Sequence, residues 1–256
     1  MSHPYIIWTM RRTGGTTLAG LLEALSEHPQ ITHEPFNPDR LLGYITNTWF
    51  AGGDEARLEY DIRQALATRP VIKHCYELCA PELNDCLMMV ASDLGYRHII
   101  LDRRAEDDRI LSLELAEATD AWGGSDVRAI YGEIIVGNRT PRPINIDGAV
   151  THMEHCLGAR RRLLEILHRH GQAPFMVYFE DVYSDPARGC DLVRRLVEFV
   201  GLSPAEHPGY DALVDEALLT RGQNSAQIVH FVPGALELQA ILRTQLRHRP
   251  LPFVAS

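Results

Sequence analysis

Residues 8–18, WTMRRTGGTTL, combine groups that proteins use to bind phosphate. Gly14 and Gly15 let the backbone approach an anion closely, and Arg12 supplies a fixed positive charge with a fork that suits phosphate oxygens. Thr13, Thr16 and Thr17, on either side of these glycines, add hydroxyl groups. The N–H groups at the start of the helix predicted after this turn attract anions. The stretch therefore predicts a phosphate cradle, and an ordinary strand-to-helix turn is the alternative.

The cradle differs from the Walker loop of many nucleotide-binding proteins. The Walker signature G-x-x-x-x-G-K-[ST] places a lysine before a hydroxyl residue that holds magnesium. Here Gly15 precedes Thr16, so the loop has no Walker lysine. We therefore expect a phosphate-bearing ligand that the loop binds without a metal ion.

A second stretch, LDRRAEDDRILSLELA at 101–116, follows a predicted strand and opens a predicted helix. Arg104 lies at the strand end, and Ser112 lies two turns into the helix. Both side chains could reach one phosphate beside the first loop. The alternative interpretation is a solvated helix start, in which Asp107 and Asp108 interact favourably with the helix dipole.

The elements that position these residues follow from apolar patterning. Four apolar runs predict buried strands, at 5–9, 70–74, 97–102 and 174–179. Helical patterns occupy 14–27, 80–94, 106–121, 149–170 and 186–200. Strands that alternate with helices predict an α/β fold with a central parallel β-sheet flanked by helices, whose ligands bind beyond the C-terminal strand ends. The stretch 136–148 predicts an irregular loop, since it contains two prolines and two glycines.

Composition narrows the class of protein further. The chain of 256 residues, 45% of them hydrophobic, suits one domain over 1–256. A formal net charge of −9 argues against a protein that coats nucleic acid or anionic membrane. The start has no signal-peptide pattern, and no apolar run is long enough for an integral membrane segment. The five cysteines lack CxxC spacing, which predicts reduced thiols in a cytoplasmic protein. The oligomeric state is left open.

Three segments together resemble the sulfotransferases that use 3′-phosphoadenosine 5′-phosphosulfate (PAPS). The run RRTGGTTL at 11–18 is similar to their signature P-[RK]-[ST]-G-[ST]-[ST]-x-L. The run RAEDDRILS at 104–112 is similar to R-x-P-x-D-x-x-x-S, and 178–202 is similar to a YED…P…FLGL segment that serves as scaffold. The resemblance implies a P-loop-type three-layer fold and PAPS as co-substrate, with PAP as product and no metal. In the first signature Gly15 replaces a hydroxyl residue, and in the second Ala105 and Glu106 replace an Asn/Asp-Pro pair.

The resemblance also implies roles for individual residues. The first loop grips the 5′-phosphosulfate through Arg11, Arg12, Thr13, Gly14, Gly15, Thr16 and Thr17. Arg104 and Ser112 grip the 3′-phosphate. The stretch at 220–231 is similar to a late loop that closes on the nucleotide, which makes Arg221 a further contact; a surface turn is the alternative. Arg12 stabilises the charge that develops on the bridging oxygen as the phosphate leaves.

Sulfuryl transfer also needs a base that takes the acceptor's proton. Members of the family with a glutamate soon after the first helix suggest Glu34 as this base, and His33 is the second candidate. The run VIKHCYEL at 71–78 resembles a K-T-H-x-P segment in which lysine and histidine serve the transfer. Lys73 and His74 are adjacent, however, so both cannot share one face of a strand. We favour Glu34, and surface-loop positions for Glu34 and His33 are the alternative.

The expected activity is transfer of a sulfuryl group to a hydroxyl or amine of a small-molecule, carbohydrate or lipid acceptor, with 37–69 and 136–148 as loops that shape the acceptor pocket. Two other functions stay open. A small-molecule kinase would use Asp102, which follows an apolar strand, to hold magnesium. A nucleotide-binding protein without turnover would keep the phosphate cradle but would lack the general base. His152 and His155 share a helical face, and we interpret them as a surface pair rather than as metal ligands.

Overall fold

The computed structural model describes residues 2–31, 33–123, 126–219, 225–249 and 251–253. Within them lies an α/β fold whose central sheet has five parallel strands and is flanked by helices, which confirms the predicted fold class. The strands are β1 Tyr5–Thr9, β2 Gln30–Ile31, β3 Val71–Cys75, β4 Arg97–Asp102 and β5 Phe175–Tyr178. They lie in the order β2-β3-β1-β4-β5. Four of them match the predicted strands closely, whereas β2 has only two residues and leaves no pattern to detect.

The helices are α1 Gly15–Leu25, α2 Gly43–Phe50, α3 Glu55–Ala65, α4 Pro81–Asp93, α5 Glu106–Thr119, α6 Asp126–Ile135, α7 Ile146–Arg169, α8 Phe179–Tyr183, α9 Pro186–Phe199, α10 Tyr210–Leu219 and α11 Ala235–Leu246. The five predicted helices are α1, α4, α5, α7 and α9. The expectation of a loop over 37–69 is wrong, because α2 and α3 occupy most of it. Few side chains of these two helices are buried, so their apolar pattern is weak. The stretch 136–145 is irregular, as predicted.

The chain forms two compact units. The first comprises Met1–Asp102 and Ala159–Leu219, and it contains the whole sheet. The second comprises Arg103–Gly158 and Thr220–Ser256. The assignment of 1–256 to one domain stays a prediction.

The sheet of the first unit has two buried faces with different chemistry. On one face, Ile7 and Leu101 pack against leucines and valines of α1 and α9. On the other face, Trp8 donates from Nε1 to Nδ1 of His98 over 3.1 Å, and its ring meets His74 edge-on at 5.1 Å. Successive residues of a strand alternate between faces. Lys73 therefore lies on the α1 face, and His74 lies on the opposite face with Trp8.

The second unit contains α5, α6, α11 and a 3-10 helix at Ser225–Phe231. Its core includes Ile110 and Leu113 of α5 with Leu238 and Leu242 of α11, all fully buried. This packing fixes α5, which carries Ser112 on its buried side.

Three of the five cysteines are buried, and all five are free thiols, as the sequence predicts. Among the described residues, no helix has the length and apolar character needed to cross a membrane.

Candidate functional site

The first loop joins β1 to α1 through unusual backbone angles. Gly14 is the N-cap of α1 and has a φ of 80°, and Arg12 has a φ of 68°. Left-handed angles are costly for a residue with a side chain, by about 1–3 kcal/mol, and such strain is often found at functional sites. No acidic residue lies in the first turn of α1. The positive end of the helix dipole therefore faces the loop without a carboxylate from that turn.

Hydrogen bonds within the protein hold the loop in this conformation. Thr13 is fully buried, and its hydroxyl donates to the carbonyl of Met10 over 2.9 Å and lies 2.5 Å from the hydroxyl of Thr9. The backbone N–H and the Nε of Arg11 both donate over 2.9 Å to one oxygen of the buried Glu77. These contacts of Thr13 and Arg11 are structural, whereas Thr16 is exposed at the start of α1.

Helix α8, which belongs to the predicted scaffold segment, covers the other side of the loop. The hydroxyl of Tyr183 donates to the carbonyl of Gly14 over 3.2 Å. Burial raises the pKa of Tyr183 to about 12, against the opposing effect of its hydrogen bond with Thr17. A Cβ atom at Gly14 would lie 2.8 Å from Cδ2 of Phe179 and 3.0 Å from Cε2 of Tyr183. Only glycine therefore fits at position 14.

Lys73 connects the loop to the predicted base. Strand β3 pairs with β1 so that Lys73 lies opposite Ile7, near the end of β1 that leads into the loop. The Nζ atom of Lys73 donates to Oγ1 of Thr16 over 3.3 Å and forms an ion pair with Oε1 of Glu34 at 2.9 Å. Both charged side chains are largely buried, with relative exposures of 11% for Lys73 and 23% for Glu34. The structure thus brings three predicted site residues into direct contact.

The stem of Lys73 also lies close beside Gly15. A Cβ atom at Gly15 would lie only 3.3 Å from Cδ of Lys73, so the lysine stem occupies the space beside that glycine. The ammonium group beside the loop comes from β3, the strand that neighbours β1. Of the 25 lysine and arginine residues of the chain, Lys73 is the only lysine.

Glu34 lies in a tightly wound segment after β2. Its φ is 52° and that of His33 is 63°, so two adjacent residues with side chains adopt the left-handed conformation. The side chain of Glu34 accepts from Nδ2 of Asn37 at Oε2 over 3.2 Å, in addition to its ion pair. His33 is exposed. The geometry therefore places Glu34, rather than His33, in contact with Lys73.

His74 has a different environment from Lys73. It is fully buried, and its Nε2 lies 2.7 Å from Oδ1 of Asn84 in α4. Burial lowers the pKa of His74 to about 4, although the bond to Asn84 opposes this. These contacts are those of a core residue, and we retain no catalytic role for His74.

A carboxylate that the sequence analysis missed also interacts with Lys73. Burial raises the pKa of Glu23 in α1, while the charges of Lys73 and His33 partly offset that rise. Glu23 gave no signal in the sequence, since a single glutamate in an amphipathic helix is ordinary.

The carboxylate of Asp102 forms a buried ion pair with Arg160. Its two oxygens accept from Nε and Nη2 of Arg160, both over 2.8 Å, and both residues are at least 99% buried. A bidentate pair of this kind uses the carboxylate oxygens that a metal ion would need.

The residues predicted to bind the 3′-phosphate lie in the second unit. Arg104 is exposed just before α5, and Ser112 is buried within it. The hydroxyl of Ser225 lies 3.5 Å from that of Ser112, so the 3-10 helix at Ser225–Phe231 begins beside Ser112. Arg221 itself falls outside the described residues. His152 and His155 stack their rings 6.3 Å apart on α7.

Comparison with known proteins adds no family to this description. No family model matches the chain, and a search of curated proteins finds no significant match. The site places the ammonium group of Lys73 between the start of α1 and the carboxylate of Glu34.

Proposed function

We propose that the protein is a sulfotransferase that moves a sulfuryl group from PAPS to a hydroxyl or amine of a small-molecule, carbohydrate or lipid acceptor. One observation carries this proposal. Lys73 contacts both the phosphate loop at Thr16 and the carboxylate of Glu34, at 3.3 and 2.9 Å. An anion in the loop and a proton donor at Glu34 would therefore be neighbours, which is the arrangement that transfer between them requires.

Each group has a part in the reaction. Glu34 takes the proton of the acceptor as its oxygen or nitrogen bonds to sulfur. The bond from sulfur to the bridging oxygen breaks, and its electron pair stays on the departing phosphate of PAP. Arg12, Lys73 and the N-terminus of α1 stabilise that developing charge. Arg104 and Ser112, with Arg221, hold the 3′-phosphate.

The kinase alternative has less support. Its magnesium-holding residue would be Asp102, and both oxygens of that carboxylate bind Arg160. Magnesium would have to displace a buried arginine. We therefore expect nucleotide binding that does not depend on magnesium.

A binding protein without turnover is also less favoured. Glu34 is held by Lys73 and Asn37 in a backbone conformation that is costly for glutamate. A protein that only binds a nucleotide has no need for a carboxylate fixed beside its phosphate loop.

Calorimetric titration tests the nucleotide. We expect PAP to bind without magnesium and ATP to bind much more weakly. Arg12→Ala and Arg104→Ala should each weaken PAP binding about 10-fold or more, because a charge-assisted hydrogen bond is lost. Arg194→Ala is the matched control, since Arg194 pairs with Asp191 on the exposed side of α9. Magnesium-dependent preference for ATP would instead establish the kinase.

Radiolabelled PAPS then tests the transfer. Suitable probes are 2-naphthol for phenols, glucosamine for sugars and amines, and 1-octanol for lipid alcohols. Transfer of label to any one of them supports the proposal and narrows the acceptor. Binding of PAP with no transfer to a broad panel would favour the protein without turnover.

A further inference from the structure

Backbone hydrogen bonds hold the segment that carries Glu34. We call residues 34–43 the Glu34 coil. Within it, the backbone N–H of Asn37 donates to the carbonyl of Glu34 over 3.0 Å, and that of Leu42 donates to Pro35 over 2.8 Å. A Cβ atom at Gly43 would lie 2.4 Å from the carbonyl oxygen of Pro38, so the coil packs directly onto the start of α2. These contacts hold the backbone that carries Glu34.

Two donors hold the carboxylate of Glu34, one at each oxygen. Lys73 binds Oε1 at 2.9 Å, and Nδ2 of Asn37 donates to Oε2 over 3.2 Å. The Asn37 amide must face this way, because an ionised carboxylate only accepts hydrogen bonds. Asn37 is 6% exposed, which protects its bond from competition with water.

The other end of this amide is unusual. The Oδ1 atom of Asn37 is buried and has no hydrogen-bond partner among the residues that the structure describes. A buried acceptor without a partner is destabilising, and such groups are rare in folded proteins. Stability alone would favour an apolar side chain at position 37. The amide N–H directed at Glu34 is the feature that an apolar residue could not replace.

We propose that Asn37 is the positioning residue of the general base, an inference that rests on the proposed sulfotransferase function. Its N–H fixes Oε2 of Glu34 and so sets the direction of Oε1. Oε1 is then the oxygen that takes the acceptor's proton, once the ammonium of Lys73 turns to the sulfuryl group. Asn37 itself touches neither donor nor acceptor.

The test compares Asn37→Leu with Asn37→Asp in the full chain. Leucine removes the amide at similar volume, and aspartate keeps the shape but cannot donate to Glu34 when ionised. With radiolabelled PAPS and the best of the three probes, we expect kcat to fall about 10- to 100-fold in both variants, as small misplacements of reacting groups do. The Kd for PAP should stay within about twofold of the wild-type value, because the phosphate loop is unchanged.

Thermal unfolding supplies the second readout. Asn37→Leu should keep or raise the melting temperature, because it removes an unpaired buried acceptor. Asn84→Leu is the comparison, since that buried asparagine is paired at both ends, with His74 and the carbonyl of Tyr76, and its loss should lower the melting temperature. If Asn37→Leu fails to fold, Asn37→Asp decides the kcat comparison.

The possible results distinguish the positioning role of Asn37 from the proposed sulfotransferase activity. Full kcat in both Asn37 variants, or an equal loss of kcat and PAP affinity, would overturn the positioning role while the sulfotransferase stands. A wild-type protein that neither binds PAP nor transfers label would overturn the proposed function itself.

Discussion

Replacing Lys73 by methionine tests the centre of the site. Methionine keeps a flexible unbranched chain of similar length in the space beside Gly15 and removes only the ammonium group. That group lies 3.3 Å from Oγ1 of Thr16, at the start of α1, where the 5′-phosphate is expected to bind. A hydrogen bond from a charged group contributes about 1.5–3 kcal/mol. We therefore expect Lys73→Met to weaken PAP binding about 10- to 150-fold.

Lys73→Arg separates charge from shape. Arginine keeps the positive charge but replaces a compact ammonium by a wide planar fork. The lysine stem runs within 3.3 Å of the position that a Cβ atom at Gly15 would take, so the space is narrow. We expect Lys73→Arg to bind PAP more tightly than Lys73→Met and less tightly than the wild type.

Calorimetry measures these affinities, and chemical labelling checks the contact independently. Because Lys73 is the only lysine, acetic anhydride can modify no other lysine side chain, and mass spectrometry reads the product at that site. Bound PAP should slow the modification of Lys73 strongly. PAP affinity within twofold of the wild type in Lys73→Met, together with unchanged labelling, would refute the placement of the nucleotide at this loop.

Three further outcomes are expected. Glu34→Gln should keep PAP affinity and lower turnover of labelled PAPS about 100-fold or more, as loss of a general base does; normal turnover would move that role to His33. Gly14→Ala should cost about 2–4 kcal/mol in urea unfolding, because it combines a left-handed angle with contact on α8. Stability should also fall as the pH drops from about 6.5 to about 4. Burial lowers the pKa of both His74 and His98 to about 4, so the unfolded chain takes up these protons first. The loss is on the order of 3 kcal/mol per histidine, and pH-dependent unfolding curves would measure it.

Much of the fold follows from local sequence pattern. Four apolar runs separated by helical stripes predict a parallel sheet, because strands buried on both faces must be apolar along their length. The sequence does not predict the helices between 37 and 69, because few of their side chains are buried. It does not predict β2 either, because two residues are too few to form a pattern. The composition of the first loop predicts an anion cradle for the same local reason, since its glycines, hydroxyls and arginine are contiguous.

The assembly of the site depends on tertiary structure. Glu34 and Lys73 are far apart in sequence, and nothing local indicates that one ammonium group contacts both that carboxylate and the first loop. The contact arises because β3 lies beside β1 with Lys73 opposite Ile7. Strand order is set by long-range packing, which the periodicity of a single segment does not encode. Alternation along β3 shows from sequence that Lys73 and His74 point to opposite faces, but only the packed sheet decides which of them contacts the first loop.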